Sequence, residues 1–151
     1  MEQIIIQENN FDKARKLIKE NQDKKIIFSS EDDELNRKIL EKEKINILLL
    51  NQAVRRDFQK QRNSGLNHIL AKLAKKNDVA IGINFDEILV SEGKHKSRIL
   101  SRIMQNIRIC NKNKLEMKFI IPNPKNMRNI HDLKSLGLVL GMPTNMIKNL
   151  F

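Results

Sequence analysis

The stretch "SGLNHILAKLAKKNDVAIGINF", residues 64–85, changes its apolar period once, and that change decides the fold. Leu66, Ile69, Leu70, Leu73 and Ala74 recur at helical intervals and share one stripe, with Ser64 available as the cap. From Val79 the period becomes two: Val79, Ile81, Ile83 and Phe85 are bulky, while Ala80, Gly82 and Asn84 are small. The spacing predicts a helix running into a strand over 79–85, whose small face meets a crowded interior.

Both flanks repeat the alternation. Upstream, Ile4 to Ile6 form a short strand, and Phe11, Ala14, Leu17 and Ile18 follow at helical spacing. Residues 25–29 predict a second strand, and "SSEDDE" opens a helix over 31–43 with acidic groups suited to the positive end of its dipole. Residues 45–50 are apolar throughout, as in a parallel strand covered on both faces, and a polar loop over 51–63 follows. Downstream come a helix over 96–112, a strand over 117–121, and a helix over 130–140. Asn129 and Asp132 mark the start of that last helix, and Gly141 and Pro143 mark its end.

Five consecutive strand-helix units predict an α/β fold with about five parallel strands and right-handed crossovers. The 151 residues, 1–151, suit one domain and are few for a closed eight-stranded barrel, which takes about 250. An open doubly wound sheet and an incomplete barrel both satisfy the spacing.

Charge narrows the function. The net charge is +11, and it is asymmetric: residues 1–50 hold 10 Lys/Arg against 11 Asp/Glu, whereas residues 51–151 hold 19 against 7. A positive field over two-thirds of the chain predicts a polyanionic partner. The same composition also fits a lysine-rich solubility surface. Cys110 stands alone, which excludes an internal disulfide and a cysteine zinc site and suits a reducing compartment. No apolar run reaches the roughly 20 residues of a membrane span and no leader pattern opens the chain, so a cytoplasmic protein with no membrane partner is expected.

Catalytic motifs are absent. His68, His95 and His131 stand apart and form no metal-ligand spacing, and the five glycines make no phosphate-binding loop. His68 falls opposite its helix's apolar stripe and has no Ser or Cys nucleophile beside it in sequence. Basic groups offer more. Arg98, Arg102, Arg108 and Lys112 are expected together on the solvent side of the 96–112 helix, where the guanidinium fork suits phosphate oxygens. The loop "RRDFQKQRNS" adds Arg55, Arg56, Lys60 and Arg62, and Arg128 precedes the last helix. Without a run of interleaved aromatics, phosphate and shape contacts are expected in place of base reading.

Three blocks, "SGLNHILAKLAKKNDVAIGI", "KSRILSRIMQNIRIC" and "MRNIHDLKSLGLVLGM", together resemble the barrel-like protein subunit of archaeal and eukaryotic ribonuclease P over residues 29–142. The resemblance implies a TIM-barrel-like fold in a non-catalytic, RNA-binding ribonucleoprotein subunit of a tRNA-processing endoribonuclease. In that family the RNA subunit, with magnesium, removes the 5′ leader from precursor tRNA, and the protein chain binds no cofactor of its own. Implied partners are the catalytic RNA and a small ferredoxin-like protein subunit, with precursor tRNA met indirectly. Carried onto this chain, the resemblance implies RNA contacts at Arg62, Arg98, Arg102 and Arg128, and a structural, loop-orienting role for Asn67 and His68.

Two departures shape the expectation. The chain is shorter than usual members at both ends, and "PNPKN" replaces a small Ser-Gly-Ala-like turn after the fifth strand. An incomplete barrel is therefore expected, left open or closed by a second copy or a partner. Two other functions stay open on sequence: a stand-alone barrel hydrolase of phosphoesters using His68, and a protein-interaction scaffold that never touches RNA.

Overall fold

The computed structural model describes residues 1–151. Five strands, β1 (Gln3–Gln7), β2 (Lys25–Ser29), β3 (Ile47–Leu49), β4 (Ala80–Asn84) and β5 (Met117–Ile120), alternate with helices. These are α1 (Phe11–Glu20), α2 (Asp33–Lys42), α3 (His68–Lys76), the pair α4 (Phe85–Val90) and α5 (Gly93–Lys112), and finally α6 (Ile130–Val139) and α7 (Thr144–Ile147). Asparagine and aspartate set most of the starts. The side chains of Asn10, Asp32, Asn67, Asn84 and Asn129 each accept a backbone N–H in the first turn of the helix that follows.

All four strand pairings are parallel and run in chain order, β1-β2-β3-β4-β5. A doubly wound sheet would reverse direction at some strand to send helices to both faces. Here no reversal occurs, so crossovers of one hand place every helix on one side, and the sheet is a barrel wall with two ends. β1 forms one end. At the other, the Phe119 N–H donates to the Leu150 carbonyl at 3.1 Å, so the last residues run alongside β5.

The two faces carry separate cores, as a period of two requires. Helices cover Ile26, Phe28, Leu48, Ile81, Ile83, Met117 and Phe119 in one cluster of 33 buried residues, whereas Ile27, Ile47, Leu49, Ala80 and Ile120 form a cluster of five on the concave side. Gly82 lies at its centre. A Cβ there would meet Ile47 at 3.0 Å and both Leu49 and Ile120 at 3.1 Å, so the curl of the sheet brings three branched side chains onto one glycine. The expected crowding behind the small face is thus present.

Several boundaries differ from the sequence reading. Ser64 does not cap α3: Asn67 does, accepting from Leu70, and the buried stripe shifts to Leu70, Ala71 and Ala74 while Ile69 stays 69% exposed. Phe85 does not close β4. Asn84 caps α4, and Phe85 turns in to meet Phe119 edge-on at 6.1 Å. β3 pairs only over Ile47–Leu49, shorter than either five-residue neighbour, and α7 follows Pro143, whose break in the backbone hid the second helix.

Candidate nucleic-acid interface

Parallel strands deliver all their outgoing loops to one end of the sheet, and the longest of these loops, residues 50–67, leaves β3 there. Polar side chains at the strand ends hold its root. The Asn84 amide donates to Asn51 Oδ1 at 2.9 Å and the Asn51 amide to Ser29 Oγ at 2.9 Å, linking the ends of β4, β3 and β2. From α4, Glu87 Oε2 accepts the N–H groups of Gln52 at 2.7 Å and Ala53 at 3.0 Å.

Burial drives the Glu87 carboxyl above the ordinary glutamate range, and the two N–H donors only partly oppose that rise. A carboxyl with a raised folded-state pKa contributes stability below its unfolded pKa and loses it as pH climbs through the folded value. Glu87→Gln retains an acceptor for both N–H groups and discards the desolvated charge. We expect this variant to be at least as stable as the parent at pH 7 and to lose the parent's decline in melting temperature from about pH 4 upward. Thermal melts between pH 4 and 8 measure it.

Two arginines brace the loop from within. Arg55 binds both oxygens of Asp33 at 2.9 Å and donates through Nε to the Asn51 carbonyl at 2.7 Å. Arg102, on α5, donates through Nε to Asp57 at 2.9 Å and through Nη1 to the Gln52 carbonyl at 2.8 Å, with its side chain 2% exposed. The expected RNA contact at Arg102 is therefore overturned. It lies three residues from Ile99, about 60° round the helix, which puts it on the flank of the buried stripe and not opposite it. Next to it the Ser64 carbonyl accepts from Gln52 Nε2 at 2.9 Å and Asn106 Nδ2 at 3.1 Å. Ser64 is a buried latch for the loop.

The remaining cations point outward. Arg56, Lys60, Arg62, Arg98 and Arg128 are exposed, and none takes part in an ion pair. Arg128 bonds only the carbonyls of Asn126 and Met127, at 3.2 and 3.3 Å, which leaves its guanidinium charge unmatched. Arg62 belongs to the loop after β3, Arg98 to the second turn of the helix after α4, and Arg128 to the loop after β5, so three adjacent units each present an arginine near one end of the sheet. Arg108 and Lys112 are exposed too, roughly 15 and 20 Å further along α5 from Arg98. Asp86 accepts from the Asn123 N–H and the Asn126 amide, both at 2.9 Å, and not from Arg128.

His68 opens α3, exposed, with Nδ1 3.0 Å from the Asn113 amide in the turn that closes α5. It ties α3 to the neighbouring helix and makes no hydrogen bond to the loop above, whose bracing comes from Arg55, Ser64 and Arg102. His95 and His131 sit on α5 and α6, and no three His, Cys, Asp or Glu side chains converge as metal ligands do. Burial pushes the Cys110 thiol up to about 12, which leaves it unreactive at neutral pH. No helix is long and apolar enough to cross a membrane.

A sheet wound in one direction, with Arg55 and Arg102 matched by Asp33 and Asp57 and an outward set of unpaired guanidinium groups, defines a barrel-type α/β scaffold. The chain belongs to the family described as RNase P subunit p30, whose pattern it matches over residues 3–151. Among curated relatives it is 33% identical over 111 residues to ribonuclease P protein component 3 of Methanococcus maripaludis, which covers 72% of this chain and 45% of that protein. The Methanosarcina mazei protein of the same name is 37% identical over 87 residues, 58% of this chain and 34% of that one. The chain thus spans about half the length of the curated relatives it matches, or less. Its fold is shared with a chain in the cryo-EM structure of an archaeal ribonuclease P with mature tRNA. The TM-score is 0.79 at 23% identity, over 98% of this chain and 63% of that one. An uncharacterised protein solved by crystallography shares the fold at a TM-score of 0.58 and 10% identity, over 98% of this chain and 44% of its own.

Proposed function

We propose that this chain is a non-catalytic, RNA-binding subunit of ribonuclease P, cytoplasmic, supporting the catalytic RNA as it removes the 5′ leader from precursor tRNA. The ferredoxin-like protein subunit is its protein partner, and magnesium acts with the RNA and is not held by this chain. The observation that carries this reading is the sorting of arginines. Those that stiffen the loop, Arg55 and Arg102, are neutralised by Asp33 and Asp57, while Arg62, Arg98 and Arg128 keep their charge for an external partner. Membership of the family supports the choice of ribonuclease P RNA as that partner.

Unmatched guanidinium groups on a fixed frame displace counterions from a phosphate backbone, so affinity falls steeply with salt. Measured against the catalytic RNA, the log of the association constant should decline linearly with log salt. Arg98→Ala and Arg128→Ala should each weaken binding and each lower the slope by about 1. An unchanged affinity and slope in the Arg62/Arg98/Arg128 triple alanine variant overturns the reading. Cleavage of precursor tRNA by the purified chain alone, abolished in His68→Ala, replaces it with a hydrolase.

A further inference from the structure

Phe58 stands in the 50–67 loop with 57% of its surface exposed, although every strand and helix core around it is well filled. Phe58 shares one groove with Ile69, itself 69% exposed, and a grouped apolar patch, unlike a single exposed residue, marks a contact surface. Its position is fixed, not slack. The Phe58 N–H donates to the Gln61 carbonyl at 2.9 Å, closing a tight turn, and the residue before it, Asp57, is held by Arg102 and by the Asn63 N–H at 3.0 Å. Arg55, three residues earlier, is locked on Asp33. The turn therefore presents the ring from a braced support.

Asp57 is the sole carboxylate in residues 51–63 and Arg102 pairs with it; Arg56, Lys60 and Arg62, close to Phe58 in sequence, form no ion pair. Beneath the ring runs a groove of about 390 Å³, floored by Leu66, Ile69 and Ile109 and edged by Arg62 and His68. Ile69 is the second large apolar side chain left exposed here. The far wall carries Asp33, held by Arg55, together with Glu34 and Arg37, whose guanidinium pairs with Glu41 at 3.0 Å. An apolar slot with one aromatic face, next to free cations, matches a planar apolar body joined to an anion.

We propose that this groove takes one unpaired nucleobase of an RNA, stacked on the Phe58 ring, with an adjoining phosphate on Arg62. A base still paired in a duplex offers no free face, so the site selects a splayed or single-stranded nucleotide. It adds base stacking to the phosphate contacts expected from sequence, where the lone aromatic of "RRDFQKQRNS" carried no weight. The inference rests on the RNA-binding reading above.

The test uses the full chain and a single-stranded RNA oligomer taken from the catalytic RNA, carrying 2-aminopurine at successive positions. The protein has no Trp or Tyr, so the probe's emission is read without interference. Quenching at one position on binding is expected, lost in Phe58→Ala together with roughly a tenfold loss of affinity, at an unchanged salt slope. Phe58→Trp should retain both. Phe58→Leu keeps apolar volume without a ring and should lose the quench while melting at the parent temperature. Three results overturn the inference. Undiminished quench and affinity in Phe58→Ala, with RNA still bound, remove the stacking site and leave the RNA-binding reading standing. No RNA bound by the parent chain removes both. Self-association of the parent, abolished in Phe58→Ala, assigns the groove to a second copy of the chain.

Discussion

Arg102→Ala should lower the free energy of unfolding by about 2–4 kcal/mol. The substitution strips a donor from the Gln52 carbonyl, a buried acceptor, which costs the desolvation of that group. It also strands Asp57. Breaking a fully buried pair costs about 3–5 kcal/mol, but Asp57 is one-third exposed and water recovers part of that, hence the lower range. Chemical denaturation measures the loss, and a change under about 0.5 kcal/mol would place Arg102 among ordinary surface groups.

Acid adds a second signature. The hydrogen bond from Arg102, reinforced by the Asn63 N–H, holds the Asp57 carboxyl below the ordinary aspartate range. A depressed folded-state pKa gives stability that is complete above the unfolded value and vanishes as pH falls through the folded one. The parent should therefore lose stability below about pH 4 more steeply than the variant. Protease should cut the variant more readily within residues 50–67, since the two bonds that Arg102 makes from α5 to the loop are gone. RNA affinity should fall as well, through misplacement of Arg62, and Arg102→Lys should restore it incompletely because one ammonium replaces two directed donors.

Gly82→Val should be of similar size, about 2–3 kcal/mol, by the opposite cause. Its Cβ enters space already limited to 3.0–3.1 Å by Ile47, Leu49 and Ile120, and two further methyl groups have nowhere to go on a curled sheet. Gly82→Ala should cost about 1 kcal/mol less. Pairing it with Ile47→Ala, which removes the Cγ2 methyl nearest the new Cβ, should cost less than the sum of the two single changes; strict additivity would mean that they do not touch. Melting temperatures of the four proteins in this cycle decide the point.

The fold was legible where a single period governs a segment. The alternation from Val79 to Asn84 located β4 and its crowded face, and the uniform apolar run around Leu48 marked a strand covered on both sides. Strand order was not legible, because open and wound sheets share the same strand-helix rhythm and differ only in which neighbours pair. Arg62, Arg98 and Arg128 are exposed, as residues in loops or well off an apolar stripe are. Arg102 misled because a long side chain on the flank of a stripe can turn either way, and its direction is set by Asp57, 45 residues distant in sequence. Glu87 lay hidden for the same reason, its partners being main-chain N–H groups that have no residue-type signal.

Because every strand lies beside the one made just before it, no segment waits for a distant partner to be synthesised. Each new strand-helix repeat can dock on the edge left by its predecessor as it leaves the ribosome, since paired strands lie 20 to 36 residues apart in sequence. Growth of the wall is thus vectorial, and an evolutionary gain or loss of whole repeats at its margins leaves the pairing of those already laid down intact.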